Sequence, residues 1–335
     1  YYQRAHADPE TYDPEGLRER VRSTLQDLVD RGFVTTDSDL AVEATQLGRL
    51  ASNYYLRLPT AVRFADLVDR DRLSVDAVLD AVAGAAEFDS VSARQDETDA
   101  IDEVLDGADT DLENGHRKVL AILEASMDDR VPSGLRSDAW VIRQNALRLL
   151  GALHAFAESF AGPRAANLVA RIEARVEHGV SREAVGLTAI DGVGAGRAET
   201  LASGGLTTPG ELVDAGVDEL TRAGLTAGVA ERVVEAAREL PQITVEWGEF
   251  PETIARGDNE MCEITVRTTA GSAAAGIRVT VNGVEMTTTD CYLTDATTVP
   301  VGVFGADEDL EFTVEVTFPE LPLPPVRASR SVAVE

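Results

Sequence analysis

Lysine is all but absent: Lys118 is the only one in 335 residues, and the other cations are arginines. Against 30 positive charges stand 59 Asp and Glu, a formal net charge of −29. So acidic a surface repels itself at low ionic strength and stays hydrated in concentrated salt. Acid surplus with lysine removed therefore reads as a protein of a salt-rich cytoplasm.

Cysteine is nearly as scarce. Cys262 and Cys291 lie far apart in one segment, as two free core thiols or, if adjacent strands bring them together, one disulfide. Neither they nor His6, His116, His154 and His178 form a zinc signature, so no metal site is expected. No apolar run approaches the ~18–20 residues of a membrane span. The start at Tyr1 lacks a basic region followed by an apolar stretch, which reads as a piece of a longer protein rather than a secreted precursor. No Gly-x-x-x-x-Gly-Lys-Ser/Thr occurs, and Lys118 sits in HRKV without a glycine loop, so ATP hydrolysis has no site in this stretch. Covalent catalysis has no candidate nucleophile, for want of a Gly-x-Ser-x-Gly elbow or a Cys–His pairing. DTDLENG (Asp109 to Gly115) imitates a calcium loop but has Asn114 at the sixth place and Leu120 at the twelfth.

What is present is unevenly spread. From Glu87 to Glu113 eleven acids face one arginine, Arg94, whereas from Arg130 to Arg182 eight arginines face four acids. A basic island in so negative a chain fits either an arginine-tolerant helical surface or an anionic partner.

Four regions follow from pattern, giving a mainly α chain with a C-terminal all-β domain. Residues 1–58 read as helix, short hairpin, helix, a winged helix. DPEGLRERVRSTLQDLVDRGF carries a cap at Asp13, Pro14 at the first helical position, and Leu17, Val21, Leu25 and Leu28 on one face. Residues 59–182 are a helical bundle whose longest helix, 137–161, repeats Ile142, Ala146, Leu149, Leu153, Phe156 and Phe160 as one apolar seam. Trp140, Gln144 and Arg148 recur at spacings of four on another face, with Arg143 beside them. After Pro241 the alphabet turns to Val- and Thr-rich alternation (ITVEW, CEITVRTT, IRVTVNGVEM, EFTVEVTF), with an Asn282–Gly283 hairpin turn. Residues 241–335 are therefore expected to form an immunoglobulin-like β-sandwich, with LPLPPVR (Leu321 to Arg327) an inter-strand connection.

Between them, in residues 183–240, lies IDGVGAGRAETL. A dinucleotide fingerprint needs its third glycine one place later, where Arg197 stands, and a preceding buried strand, which REAVGLTAI is not. A helix-hairpin-helix fits better: a first helix ending near Leu187, Ile190 in the core, a turn at Gly192 and Gly194, and Ala198 and Leu201 pointing inward. Gly192, Gly194 and Gly196 free the backbone for left-handed turns and leave outward N–H groups that suit a phosphate, with Arg197 beside them. A hairpin kept for packing or protein contact is the alternative. A degenerate second copy has Gly224-Leu225 before VAERVVEAA.

Four ordered stretches now carry a resemblance. LVDRGFV…EATQLGRLASNYYLRLPTAVRF (Leu28 to Phe64), AAEFDSVSARQDE (Ala85 to Glu97), SDAWVIRQNALRLLGAL (Ser137 to Leu153) and the hairpin resemble the C-terminal half of Ski-type superfamily II helicases. These include archaeal HelQ-type DNA helicases and the spliceosomal unwinding helicase with its Brl, or Sec-sixty-three, module. The resemblance covers about residues 1–240; the β-segment is placed by order. It implies that the long bundle helix lies across the strand path and ratchets bases past it. That role falls on Trp140, Arg143, Gln144 and Arg148, with the hairpin residues Gly192, Gly194, Gly196 and Arg197 on the phosphate backbone. Some archaeal members carry a stacking aromatic further along this helix, where Leu150 or Ala155 stands here. It further implies ATP and magnesium only in upstream motor domains, in cis or in trans. The implied partners are single-stranded DNA or RNA and proteins docking on the β-sandwich. A scaffold without nucleic-acid contact is the other open reading.

Overall fold

The computed structural model describes residues 14–37, 41–70, 72–107 and 111–335, helical in the N-terminal part and β-rich in the C-terminal part. Helix α1 (Pro14–Asp30) leads into the antiparallel pair β1 (Val34–Thr36) and β2 (Val42–Ala44), then helix α2 (Gln46–Asn53). The expected cap Asp13 lies outside the described residues. Thr45 caps α2, its hydroxyl oxygen accepting from the Gly48 N–H at 3.1 Å. A Cβ at Gly48 would fall 2.0 Å from the Phe33 carbonyl oxygen, so the chain closes here only with glycine. That close approach explains the Thr-x-Leu-Gly pattern. The apolar face read on α1 is largely uncovered: no described side chain of this helix is buried, and Val21 is exposed.

The bundle comprises α3 (Leu58–Val68), α4 (Val75–Ala83), α5 (Thr98–Val104), α6 (Asn114–Ser126), α7 (Arg136–Phe160) and α8 (Pro163–His178). Helix α7 matches the expected span within a residue and runs through the core. Ile142, Ala146, Leu149, Leu153 and Phe156 are buried against the neighbouring helices, each leucine so placed contributing about 1.5–3 kcal/mol. Phe156 meets Phe64 edge to face at 5.9 Å. Phe160 does not complete this seam: it is 45% exposed in the last turn and reaches back only to Phe156 among aromatic neighbours. Gly162, at φ 81°, and Pro163 then reverse the chain into α8.

In residues 183–240 the first expected hairpin helix is only a 3-10 turn, Val185–Ala189. Helices α9 (Ala195–Ser203), α10 (Pro209–Arg222, broken at Gly216) and α11 (Ala227–Arg238) follow around a core of their own. Gly224, at φ 105°, and buried Leu225 precede α11.

The β-region holds β3 (Gln242–Trp247), β4 (Thr253–Ile254), β5 (Asn259–Ala270), β6 (Ala273–Val281), β7 (Val284–Leu293), β8 (Ala296–Phe304), β9 (Leu310–Thr317) and β10 (Val326–Val334). One sheet has the order β4-β10-β9-β6-β7, the other β3-β5-β8, and alternate Val, Ile and Phe residues of both share one core. Asn282 and Gly283, both at positive φ, make the β6–β7 turn. Cys262 on β5 and Cys291 on β7 are free. Asn167 of α8 ties bundle to sheet: its buried amide lies 3.0 Å from each of the Phe318, Leu321 and Leu323 carbonyls in the β9–β10 connection.

Candidate nucleic-acid interface

Burying one stripe of α7 turns the opposite stripe to solvent. Trp140 is 68% exposed, outside the core, and Gln144 and Arg148 are exposed below it. The three span about 12 Å of helix axis. Arg148 donates through Nη1 to the Tyr54 carbonyl at 2.9 Å, which anchors the guanidinium without neutralising it. Arg143 is half-buried, and its Nε has no hydrogen-bond partner. Neither arginine forms an ion pair with a carboxylate among the described residues.

The Arg148 tether brings in a residue that sequence reading passed over. Tyr55, beside Tyr54, is 88% exposed and held at φ 52°. A left-handed backbone on a non-glycine residue costs of order 1 kcal/mol, and such strain gathers at functional sites. The Tyr pair after the Leu-Gly was its only signal. Trp140 and Tyr55 supply aromatic faces, Arg148 a delocalised cation, and Gln144 a donor and acceptor: groups that hold bases and phosphates without reading sequence.

The glycine hairpin is open on its outer side. Ile190 and Val193 are buried and pin the turn from within, while Gly192 stands at φ 81°. Gly194 caps α9 with no side-chain cap bond, and a Cβ at Gly192, Gly194 or Gly196 would meet nothing within 4 Å. Among the described residues no hydrogen bond takes up the Ala195 or Gly196 N–H, the first donors of α9. Arg197 folds its Nη1 back to the Gly192 carbonyl at 2.6 Å, again without a carboxylate partner among the described residues. Glu199, whose charge would oppose an anion here, is occupied: it accepts from the Ser181 N–H and hydroxyl. Asp191 remains exposed at the turn. Stripe and hairpin belong to different apolar cores, and among the described residues no hydrogen bond joins them. No group of three His, Cys, Asp or Glu among the described residues is placed to hold a metal, and no helix is long and apolar enough to cross a membrane.

Residues 44–319 match the model of the Sec63 Brl domain, and the chain belongs to that family. It is 32% identical over 124 residues to the DExH-box ATP-dependent RNA helicase DExH14 of Arabidopsis thaliana, a match covering 34% of this chain and 6% of the relative. It is 30% identical over 114 residues to activating signal cointegrator 1 complex subunit 3 of Dictyostelium discoideum, covering 32% of this chain and 5% of that protein. The chain thus spans a small fraction of these relatives' lengths. Among solved structures, a CARDB domain from Pyrococcus furiosus is 18% identical, covering 29% of this chain and 90% of that one. Its TM-score of 0.26 is too low to bear on the fold. The family match reaches into the β-region, further than the quoted motifs carried it.

Proposed function

We propose that this chain is the strand-holding accessory region of an ATP-dependent helicase from a salt-adapted, archaeal organism, working in the cytoplasm. The observation that carries the reading is the exposed Trp140–Gln144–Arg148 stripe, whose arginine has no carboxylate partner among the described residues of a molecule of net charge −29. A single strand of DNA or RNA lies along α7, with bases on Trp140 and Tyr55 and phosphates at Arg143 and Arg148. The N–H groups of Ala195 and Gly196, presented by Gly192 and Gly194 with Arg197 beside them, take a second stretch of backbone. We read residues up to 58 as a winged helix, 59–182 as the ratchet bundle, 183–240 as a helix-hairpin-helix and 241–335 as an immunoglobulin-like sandwich. The motor domains, with their ATP and magnesium, act in cis or in trans.

The test is fluorescence anisotropy of a labelled single strand against salt, with wild type and Arg148→Glu. Binding is expected to be sequence-tolerant, to weaken with salt, and to weaken further in the variant. An unchanged variant removes α7 from the strand path.

A second reading has its own observation: Met261 and Phe304 on neighbouring strands β5 and β8, and Val284, Met286 and Tyr292 on β7, are exposed apolar groups. These suit a scaffold docking protein partners through the β-region. Absence of strand binding at every salt concentration at which the protein is folded favours this reading.

A further inference from the structure

The basic island does not end at the strand stripe. A cleft of ≈ 290 Å³ opens between α8, the segment after α3 and the β9–β10 sheet, and six arginines line it: Arg70, Arg72, Arg164, Arg171, Arg182 and Arg327. Among the described residues its single lining carboxylate is Glu315 of β9. Glu315 is already committed, pairing with Arg164 at 3.0 Å and Arg327 at 2.5 Å. Arg70, Arg72, Arg171 and Arg182 make no ion pair among the described residues. Arg171 also has a buried Nε with no acceptor. Burial, and then the nearby charges of Arg182, Arg175 and Arg327, push its guanidinium below its ordinary value.

We propose that this cleft binds a compact, multiply charged phosphate anion of the pyrophosphate or tripolyphosphate class. Folding brings these like charges together from four separate segments, a cost that a multivalent anion removes. Guanidinium matches phosphate through paired, planar N–H donors, and the half-buried setting of Arg171 strengthens its contact. Arginine here, in a chain that elsewhere spreads acid over its surface, is the residue such a ligand needs. The volume lies at the lower end for small-molecule sites. The cations line one compact cleft instead of an extended track, which separates it from the linear path a single strand requires. A monovalent salt anion makes too few contacts to compete where charge is screened within a few ångströms. The proposal does not depend on strand binding by α7.

Isothermal titration of sodium tripolyphosphate into the 335-residue chain tests it, in potassium chloride at which circular dichroism shows the protein folded. Wild type is expected to bind one equivalent saturably. Arg171→Ala is expected to weaken binding about tenfold or more. Arg72→Ala and Arg182→Ala, at exposed positions where folding is not at stake, are expected to weaken it in the same direction. Arg148→Ala, on the strand stripe, is expected to leave it unchanged. No saturable heat, equal binding of chloride-matched sulfate and tripolyphosphate, or indifference to Arg72→Ala and Arg182→Ala each overturns the proposal. So does a cleft whose variants change oligonucleotide binding alone, which would make it part of the strand path.

Discussion

Lys118 and Asp138 meet across the bundle at 2.5 Å, Nζ to Oδ2, and the same ammonium lies 2.8 Å from Glu97 Oε1. The chain's one lysine, on α6, is thus 1% exposed, enclosed by the acidic segment before α5 and the first turn of α7. Arg94 joins the network, 3.7 Å from Glu97 and 3.9 Å from Asp138. These are the Arg and Glu of the Ala85–Glu97 motif, so that motif positions the start of the long helix. Arg94 is 61% exposed at its side chain and a surface cation, while Lys118 is enclosed. Lys118→Met strands Glu97 as a buried, half-paired charge and is expected to cost about 3–5 kcal/mol in denaturant unfolding. Lys118→Met with Glu97→Leu is expected to recover much of that loss; a double variant no more stable than the single one refutes the pairing.

The same network sets a pH dependence. Hydrogen bonds from the Arg94 N–H and Lys118 outweigh burial and hold Glu97 below its ordinary value, and Lys118 does so for Asp138. Burial lowers the Lys118 value, but Asp138 and Glu97 together raise it above the ordinary one. Carboxylates held low contribute stability that is present above their unfolded values and lost as pH falls through the lowered ones. A lysine held high contributes until pH rises through its raised value. Stability is therefore expected to hold between roughly pH 5 and 10. In Lys118→Met stability is lower at neutral pH but is expected to fall less steeply with acid, because Glu97 and Asp138 are no longer held low, as denaturant unfolding at a series of pH values measures.

Asn167 supplies two N–H groups to three carbonyls, so one hydrogen is shared. Asn167→Ala is expected to cost about 2–3 kcal/mol, because the carbonyls of Leu321 and Leu323 lose the amide donor and that of Phe318 keeps only the Leu321 N–H at 3.3 Å. Limited proteolysis is expected to cut the 318–325 connection faster in this variant.

On the strand stripe, Trp140→Ala is expected to lose about 1–3 kcal/mol of single-strand affinity with the thermal midpoint unchanged, since so exposed a ring supports no core. Anisotropy and thermal melts on one preparation separate the two effects.

At the hairpin, Gly192→Val forces a β-branched residue to φ 81° and is expected to cost about 1–2 kcal/mol. Gly196→Ala meets open space within a helix and is expected to preserve or slightly raise stability while weakening strand binding severalfold. Unchanged binding in Gly196→Ala removes the backbone donors of α9 from the interface.

How much was readable in advance differs by element. Helix α7 was legible within a residue because its apolar repeat is long and its exit is marked by Gly162 and Pro163. The β6–β7 turn was legible because Asn-Gly permits positive φ at both places. Strand β8 carries a weak signal, with Pro300 in its middle, and β10 turns Arg327, Ser329 and Ser331 outward with only Val332 buried. The first hairpin helix shrank to a 3-10 turn because Val185 and Leu187 are drawn into the core beside α8. Phe160 kept its helical phase but overhangs the end of the bundle, where periodicity says nothing about neighbours.

Charge balance, helix phase and turn chemistry are local properties, carried by residues within a few places of one another, and the order of residues suffices to set them. The enclosure of Lys118, the lack of a carboxylate partner for Arg148 among the described residues, and the gathering of six arginines in one cleft are of another kind. They depend on groups up to 257 positions apart, as Arg70 and Arg327 are, whose meeting is fixed by how helices and sheets pack. No spacing along the chain encodes such a distance.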